Sequence, residues 1–158
     1  MRLYENVFKK LRTIINSEST IIIGLGNPDR SDDAVGIRFG SRLKSHFPGR
    51  VFLETERSSE SIVLDLIENE TISHVLFVDA TDFTGKPGEV RLFNHQDAKH
   101  FIPSISTHKV PITLLMDLLI QHHKEPYLLG IQPGNLALFG QMSDEIQETI
   151  KELEKTLL

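Results

Sequence analysis

Apolar positions near the start of the chain recur at helical spacing. Leu3, Val7, Leu11 and Ile14, with Phe8 and Ile15 beside them, form one stripe, and Glu5, Lys9, Lys10 and Arg12 fall outside it. That pattern predicts an amphipathic helix packed on a core. The period then shortens. Residues 20–25 are β-branched and apolar and stop at glycine, which predicts a strand. Residues 33–43 return to helical spacing and end near Pro48 and Gly49. A second strand is expected at 51–54 and a helix over 58–70, with Ile62, Leu66 and Ile67 on one face. The run "HVLFVDA" is almost continuously apolar and reads as a central strand. Residues 88–93 alternate and read as a half-exposed strand. A helix over 110–123 carries Pro111 near its first turn, where proline is tolerated. A fifth strand follows in "YLLGIQP". Ser143 can cap a last helix, with Asp144 and Glu145 suited to its positive end.

Strands alternating with helices predict an α/β sheet covered on both faces. One link departs from this pattern. Residues 80–88 are rich in Gly and Pro and too short for the helical crossover that two parallel strands need. The strand after them is therefore expected to run antiparallel to the one before, which makes the sheet mixed. The chain length of 158 residues suits one domain.

Composition narrows the classes of function. The chain has 39% hydrophobic and 25% charged residues and a formal net charge of −5. An acidic balance argues against a non-specific nucleic-acid binder, which needs a basic face. There are no cysteines, so disulfides, thiolate metal sites and a cysteine nucleophile are excluded. That usage fits the cytoplasm. No apolar run approaches the length of about 20 residues that spans a bilayer, and the charges within residues 5–12 rule out a signal-peptide core.

The informative stretch is "GLGNPDRSDDAVG" at 24–36. Glycines after a strand often cradle a phosphate, but a dinucleotide fingerprint needs a third glycine where Asp29 stands, and Asp32 and Asp33 would repel a pyrophosphate. A structural reading makes Asp32 a helix cap and Asp33 a first-turn acid. A third reading is a metal or catalytic carboxylate. In open α/β sheets ligands sit beyond the carboxyl ends of the strands. Asp33 follows the first strand, Asp79 ends the central one, and His108 lies in "SISTHKVP" before a helix. If that loop returns to the same edge, two carboxylates and an imidazole converge. The set suits a borderline divalent ion such as nickel or zinc, with coordination positions left open.

Four stretches in order resemble the hydrogenase maturation endopeptidases: "GLGNPDRSDDAVG", "VLFVDATDFTGKPGEVRLF", "STHKVPITLLMDLL" and "LLGIQPGNLALFGQMSDEI". The middle two, with "GIQP", are most similar to the branch serving hydrogenases of the formate-hydrogenlyase type. The resemblance covers about residues 20–150. It implies a three-layer α/β/α sandwich with a mixed, mostly parallel five-stranded sheet. Residues 1–158 would be one protease domain, with 1–17 a helical extension to the common pattern. It implies an enzyme that removes the C-terminal extension of a nickel-iron hydrogenase large-subunit precursor after nickel insertion. The family's metal-binding acids fall on Asp33 and Asp79 and its histidine on His108, and these three would also be the catalytic groups. No tightly bound cofactor is implied, because nickel arrives in the substrate, and zinc or cadmium can substitute for it. No nucleic acid, no membrane insertion and a cytoplasmic location complete the expectation. Ala34 after the acids is a mild departure. "ETERSSES" replaces a glycine-rich turn and leaves Glu56 and Arg57 as candidate substrate contacts.

Two rivals remain at this point. Peptidyl-tRNA hydrolases also carry a strand leading into "GLGNP", but an Arg-His-Asn follows there, where this chain has Ser31, Asp32 and Asp33. A nickel-binding chaperone of the large subunit would use the same ligands without cleavage. Asp82 reads as a turn residue, Asn27 as either a substrate contact or a lock on its own loop, and Gln132 as a residue lining the cleft. His74, His95, His100, His122 and His123 read as structural or solvated, and Phe39, Phe52, Phe77 and Leu118 as core.

Overall fold

The computed structural model describes residues 2–101 and 110–158. Its elements in chain order are α1 (Arg2–Asn16), β1 (Thr20–Gly24), a 3-10 turn (Ser31–Ala34), α2 (Val35–His46), β2 (Val51–Leu53), α3 (Ser59–Leu66), β3 (His74–Ala80), β4 (Val90–Asn94), α4 (His95–Phe101), α5 (Ile112–Gln121), β5 (Glu125–Ile131) and α6 (Asp144–Leu157). The strands form one five-stranded sheet in the order β2-β1-β3-β5-β4. All neighbours are parallel except β4, which pairs antiparallel with β5. The fold is thus α/β with a mixed, mostly parallel sheet, as expected. The short link after β3 does reverse the chain direction. It does not place β4 beside β3, because β5 inserts between them with Val78 opposite Leu129 and Leu92 opposite Leu129 from the other side.

Strand alternation sorts the core into two layers. Ile22, Leu76, Val78 and Leu129 face α1, α2 and α6, where they meet Leu11, Phe39 and Leu153. Ile21, Ile23, Val75 and Phe77 face α3, α4 and α5, where they meet Val63, Ala98 and Met116. β1 and the interior of β3 are buried on both faces between helices, which is why they read as continuous apolar runs. Phe39 and Phe77 lie in the core as expected, and Phe52 and Leu118 are partly buried at its margin. Within α1 the predicted stripe buries Leu11, Ile14 and Ile15.

The C-terminus of α1 carries no basic residue of its own. Arg50, just before β2, supplies the charge. Its guanidinium donates to the carbonyls of Ile15 at 3.0 Å, Ser17 at 2.7 Å and Thr20 at 3.2 Å. Cationic donors suit the orphan carbonyls at a helix end.

Helix α2 lies unusually close to the sheet. A Cβ at Gly36 would sit 2.2 Å from both the Leu25 and Val78 carbonyl oxygens. Both obstacles are backbone and cannot rotate away. Gly36→Ala is therefore expected to force α2 off the sheet at a cost of about 3 kcal/mol, read as a lowered urea midpoint. An unchanged midpoint would mean that α2 does not rest on the strands.

Candidate active site

Residues 24–36 position the first acid. Gly26 has φ of +129°, a conformation open to glycine, and a Cβ there would lie 1.9 Å from the Asp33 carbonyl oxygen. The missing side chain lets the loop fold back on itself. The Asp33 carboxylate then accepts the Asn27 N–H through Oδ2 at 2.9 Å. Asn27 also accepts the Asp29 N–H through its side-chain oxygen at 2.9 Å, so it locks its own loop. The residue before Gly26 ties this loop to β3, since the Leu25 N–H donates to the Val78 carbonyl at 2.9 Å. Asp79 is the next residue along β3 and is only 3% exposed. Asp33 and Asp79 thus lie at the carboxyl ends of two adjacent parallel strands.

Alternation decides which way Asp79 faces. It shares the side of β3 that carries Val75 and Phe77, toward the layer of α3, α4 and α5. Helix α5 ends immediately before β5 begins, so its first residues lie at the carboxyl rim of the sheet. Val110 and Ile112 there pack in the same apolar cluster as Phe83, four residues past Asp79. His108 lies outside the described residues, two positions before Val110. Among the described residues, no group of three His, Asp or Glu side chains could by itself hold a metal ion.

A third carboxylate reaches the rim. Glu54 follows β2, and its Oε2 accepts the Gly26 N–H at 3.0 Å. Gly26 therefore lies between Asp33 on one side and Glu54 on the other. The sequence reading looked instead to Glu56 and Arg57. Both are engaged elsewhere: Glu56 accepts two bonds from Lys44, and Arg57 pairs with Asp65 and with Ser61. Glu54 was legible in principle, because it is the residue that leaves β2 at the same rim as Asp33.

Asp32 is not a helix cap. It lies within the 3-10 turn, wholly buried, and binds a part of the chain more than a hundred residues away. Its Oδ2 accepts the N–H of Gly134 at 2.8 Å, the N–H of Asn135 at 2.7 Å and the Ser143 hydroxyl at 2.6 Å. Its Oδ1 accepts the Ser143 N–H at 2.6 Å. Burial works to raise its pKa, but these donors outweigh burial and hold the carboxyl below its ordinary value. Ser143 does precede α6 at the N-cap position as expected, though its hydroxyl makes no cap bond and instead donates to Asp32.

Gln132 and Asp82 also have structural duties. The Gln132 side-chain oxygen accepts the N–H groups of Phe83 at 2.9 Å and Gly85 at 3.0 Å, and its amide donates to Asp82 at 3.1 Å. Asp82 accepts the Thr84 N–H, which closes the turn after β3 and lowers its pKa together with the Gln132 bond. The histidines read as structural behave so: His74 lies 3.2 Å from Glu125, and His95 is 2.5 Å from Asp117.

Comparison with known proteins agrees with this architecture. Residues 58–158 match the model of the HycI family, described as hydrogenase maturation protease. The Hydrogenase 3 maturation protease of Escherichia coli strain K12 is 27% identical over 139 residues, covering 87% of each chain. The crystal structure of the [NiFe] hydrogenase maturation protease HycI from Thermococcus kodakarensis superposes with a TM-score of 0.75 at 28% identity, covering 94% of this chain and 98% of that one. The [NiFe] hydrogenase maturation protease HybD of the same organism shares the fold, with a TM-score of 0.65 at 23% identity and coverage of 86% and 94%. A carboxylate-lined rim on a mixed α/β sheet, joined to a family match over residues 58–158, makes this chain a peptide hydrolase belonging to the hydrogenase maturation protease family.

Proposed function

We propose that the chain cleaves the C-terminal extension from the large-subunit precursor of a nickel-iron hydrogenase once nickel has been inserted. The observation that carries this reading is the pairing of acids at one rim. Asp33 lies in the loop after β1, Asp79 is the penultimate residue of β3, and Val110, two residues past His108, lies at the same end of the sheet. Two carboxylates and an imidazole are a donor set suited to a borderline divalent ion. In this reading Asp33, Asp79 and His108 complete the coordination of nickel that the precursor already carries. The metal is part of the substrate, so the protease itself needs no resident cofactor, and zinc or cadmium can take the place of nickel.

Anchoring the precursor's nickel brings the scissile peptide to the rim. A water oxygen attacks the peptide carbonyl carbon, the C–N bond breaks, and the amine leaves with a proton. The attacking water is activated by the substrate's metal as a Lewis acid or by one carboxylate as a general base. The second route would make the enzyme an aspartyl protease in the broad sense. Both routes need ionised acids on the rim. The cysteine-free composition fits action in the cytoplasm, where precursor assembly would occur. No described helix is long and apolar enough to cross a membrane.

The test is a cleavage assay on nickel-loaded and nickel-free precursor, followed by mass spectrometry. Loaded precursor is expected to lose a mass equal to its tail. The nickel-free form should be cut about 100-fold more slowly, equivalent to about 2.7 kcal/mol of lost anchoring. Equal rates on both forms would overturn the role of nickel. Loaded precursor that stays intact would overturn the substrate assignment.

A further inference from the structure

The loop that joins β5 to α6 displays three large apolar side chains to solvent. Leu136 is 42% exposed, Leu138 61% and Phe139 79%. Scattered exposed hydrophobics are ordinary on a protein surface, but three within four residues form a patch, and patches mark contact sites. The backbone adds a second argument. Phe139 has φ of +58°, a left-handed conformation that a bulky residue rarely adopts. Folding that merely required a turn here would be better served by glycine or asparagine. The strained conformation instead keeps the ring turned outward, at a cost that persists only where the surroundings enforce it.

The surroundings that enforce it are the acid-bearing loop itself. The Phe139 N–H donates to the Asp29 carbonyl at 2.6 Å, and the Ser31 hydroxyl donates to the Ala137 carbonyl at 2.7 Å. The Asp32 N–H donates to the Asn135 carbonyl at 2.9 Å, and the buried Asp32 carboxylate holds Gly134, Asn135 and Ser143 in return. The displayed side chains are thereby fixed relative to Asp33, the next residue. A polar cleft of about 340 Å³, lined by Pro28, Ser31, Arg38, Gln141 and Met142 among others, runs beside this seam.

We infer that Leu136, Leu138 and Phe139 dock an apolar patch on the folded body of the hydrogenase precursor and so set the register of its scissile bond against the rim. This inference rests on the substrate reading proposed above. The shape selects a protein over a small molecule, because the side chains protrude and small ligands take concave sites. The location selects the substrate over an unrelated partner: the patch continues directly from the rim where cleavage occurs, through hydrogen bonds to residues 29, 31 and 32. Protruding aromatic and aliphatic anchors of this kind carry most of the binding energy in protein interfaces.

The experiment compares wild type, Phe139→Gly and the double variant Leu136→Ser/Leu138→Ser on nickel-loaded precursor. Phe139→Gly removes the ring and relieves the backbone, so its thermal midpoint should hold or rise. Its KM should nevertheless rise about tenfold, with kcat within about twofold of wild type. The double variant, altered only at exposed positions, should show the same split. A lowered thermal midpoint with KM unchanged would assign the loop a purely structural role and overturn the inference. Sedimentation that detects a wild-type dimer, lost in the variants without a change in KM, would assign the patch to self-association and also overturn it. Wild type that leaves loaded precursor uncut overturns the parent reading and this inference with it. Wild type that cuts, with both variants at unchanged KM, overturns this inference alone.

Discussion

Asp79→Asn is expected to reduce cleavage of nickel-loaded precursor by about 1,000-fold or more while leaving the fold in place. The size follows from the role proposed for Asp79, a charged group acting on the reacting centre in a site screened from water. The substitution keeps the shape of the side chain, which matters because Asp79 is 3% exposed and ends the central strand. Its β3 backbone stays paired with β1 and β5 through the neighbouring residues. Asp33→Asn should show a similar loss. The two changes combined should cost little more than either alone, since groups that anchor one metal act as a unit. Single-turnover cleavage alongside circular dichroism is the measurement. Full activity in Asp79→Asn, with the fold retained, would move the chemistry away from this rim.

Asp32→Ala should give a large loss of stability for a polar position, about 2 to 3 kcal/mol at neutral pH. Four hydrogen bonds at 2.6 to 2.8 Å converge on this one buried carboxylate. Alanine would leave the N–H groups of Gly134, Asn135 and Ser143 without the carboxylate that gathers them, and donors that lose a charged partner are costly. The effect should depend on pH with a definite sign. The folded carboxyl titrates below its ordinary value of 3.8. Its contribution is therefore complete above that value and is lost as pH falls through the lower folded value. Urea unfolding of wild type and variant should show a constant gap from pH 5 to 7 that narrows progressively below about pH 4. A gap that persists undiminished in acid would mean that the charge on Asp32 is not what binds the two loops.

The contrast between Asp79 and Asp32 shows what a sequence can and cannot disclose about such a site. The position of Asp79 at the rim was legible because it lies at the close of an apolar run, and the end of a buried parallel strand has one location in an α/β sheet. The limits of β3, His74–Ala80, match the apolar run itself. The reversal before β4 was legible from chain length alone. The insertion of β5 between β3 and β4 was not, because strand order depends on packing across the whole sheet. Asp32 resembled a helix cap by every local criterion. Its partners at 134, 135 and 143 are distant in sequence, and no local pattern announces them. Ser143 stands at the N-cap position the sequence indicated, but the bond its hydroxyl donates to a remote carboxylate was not legible for the same reason. Glu54 carries no local signal that sets it apart from the polar run after it, although strand direction assigns it to the rim.

Arg50 has a consequence for residues 2–16. Its three bonds to Ile15, Ser17 and Thr20 join the end of α1 to the start of β1, while Leu11 and Ile15 lie under α1 against the sheet. The leading helix is consequently a cladding element and not a detachable appendage. Peeling it away would bare the apolar side of the central strands and strand a guanidinium over carbonyls it no longer holds. Residues far from the carboxyl rim thus help to govern how long the whole enzyme survives.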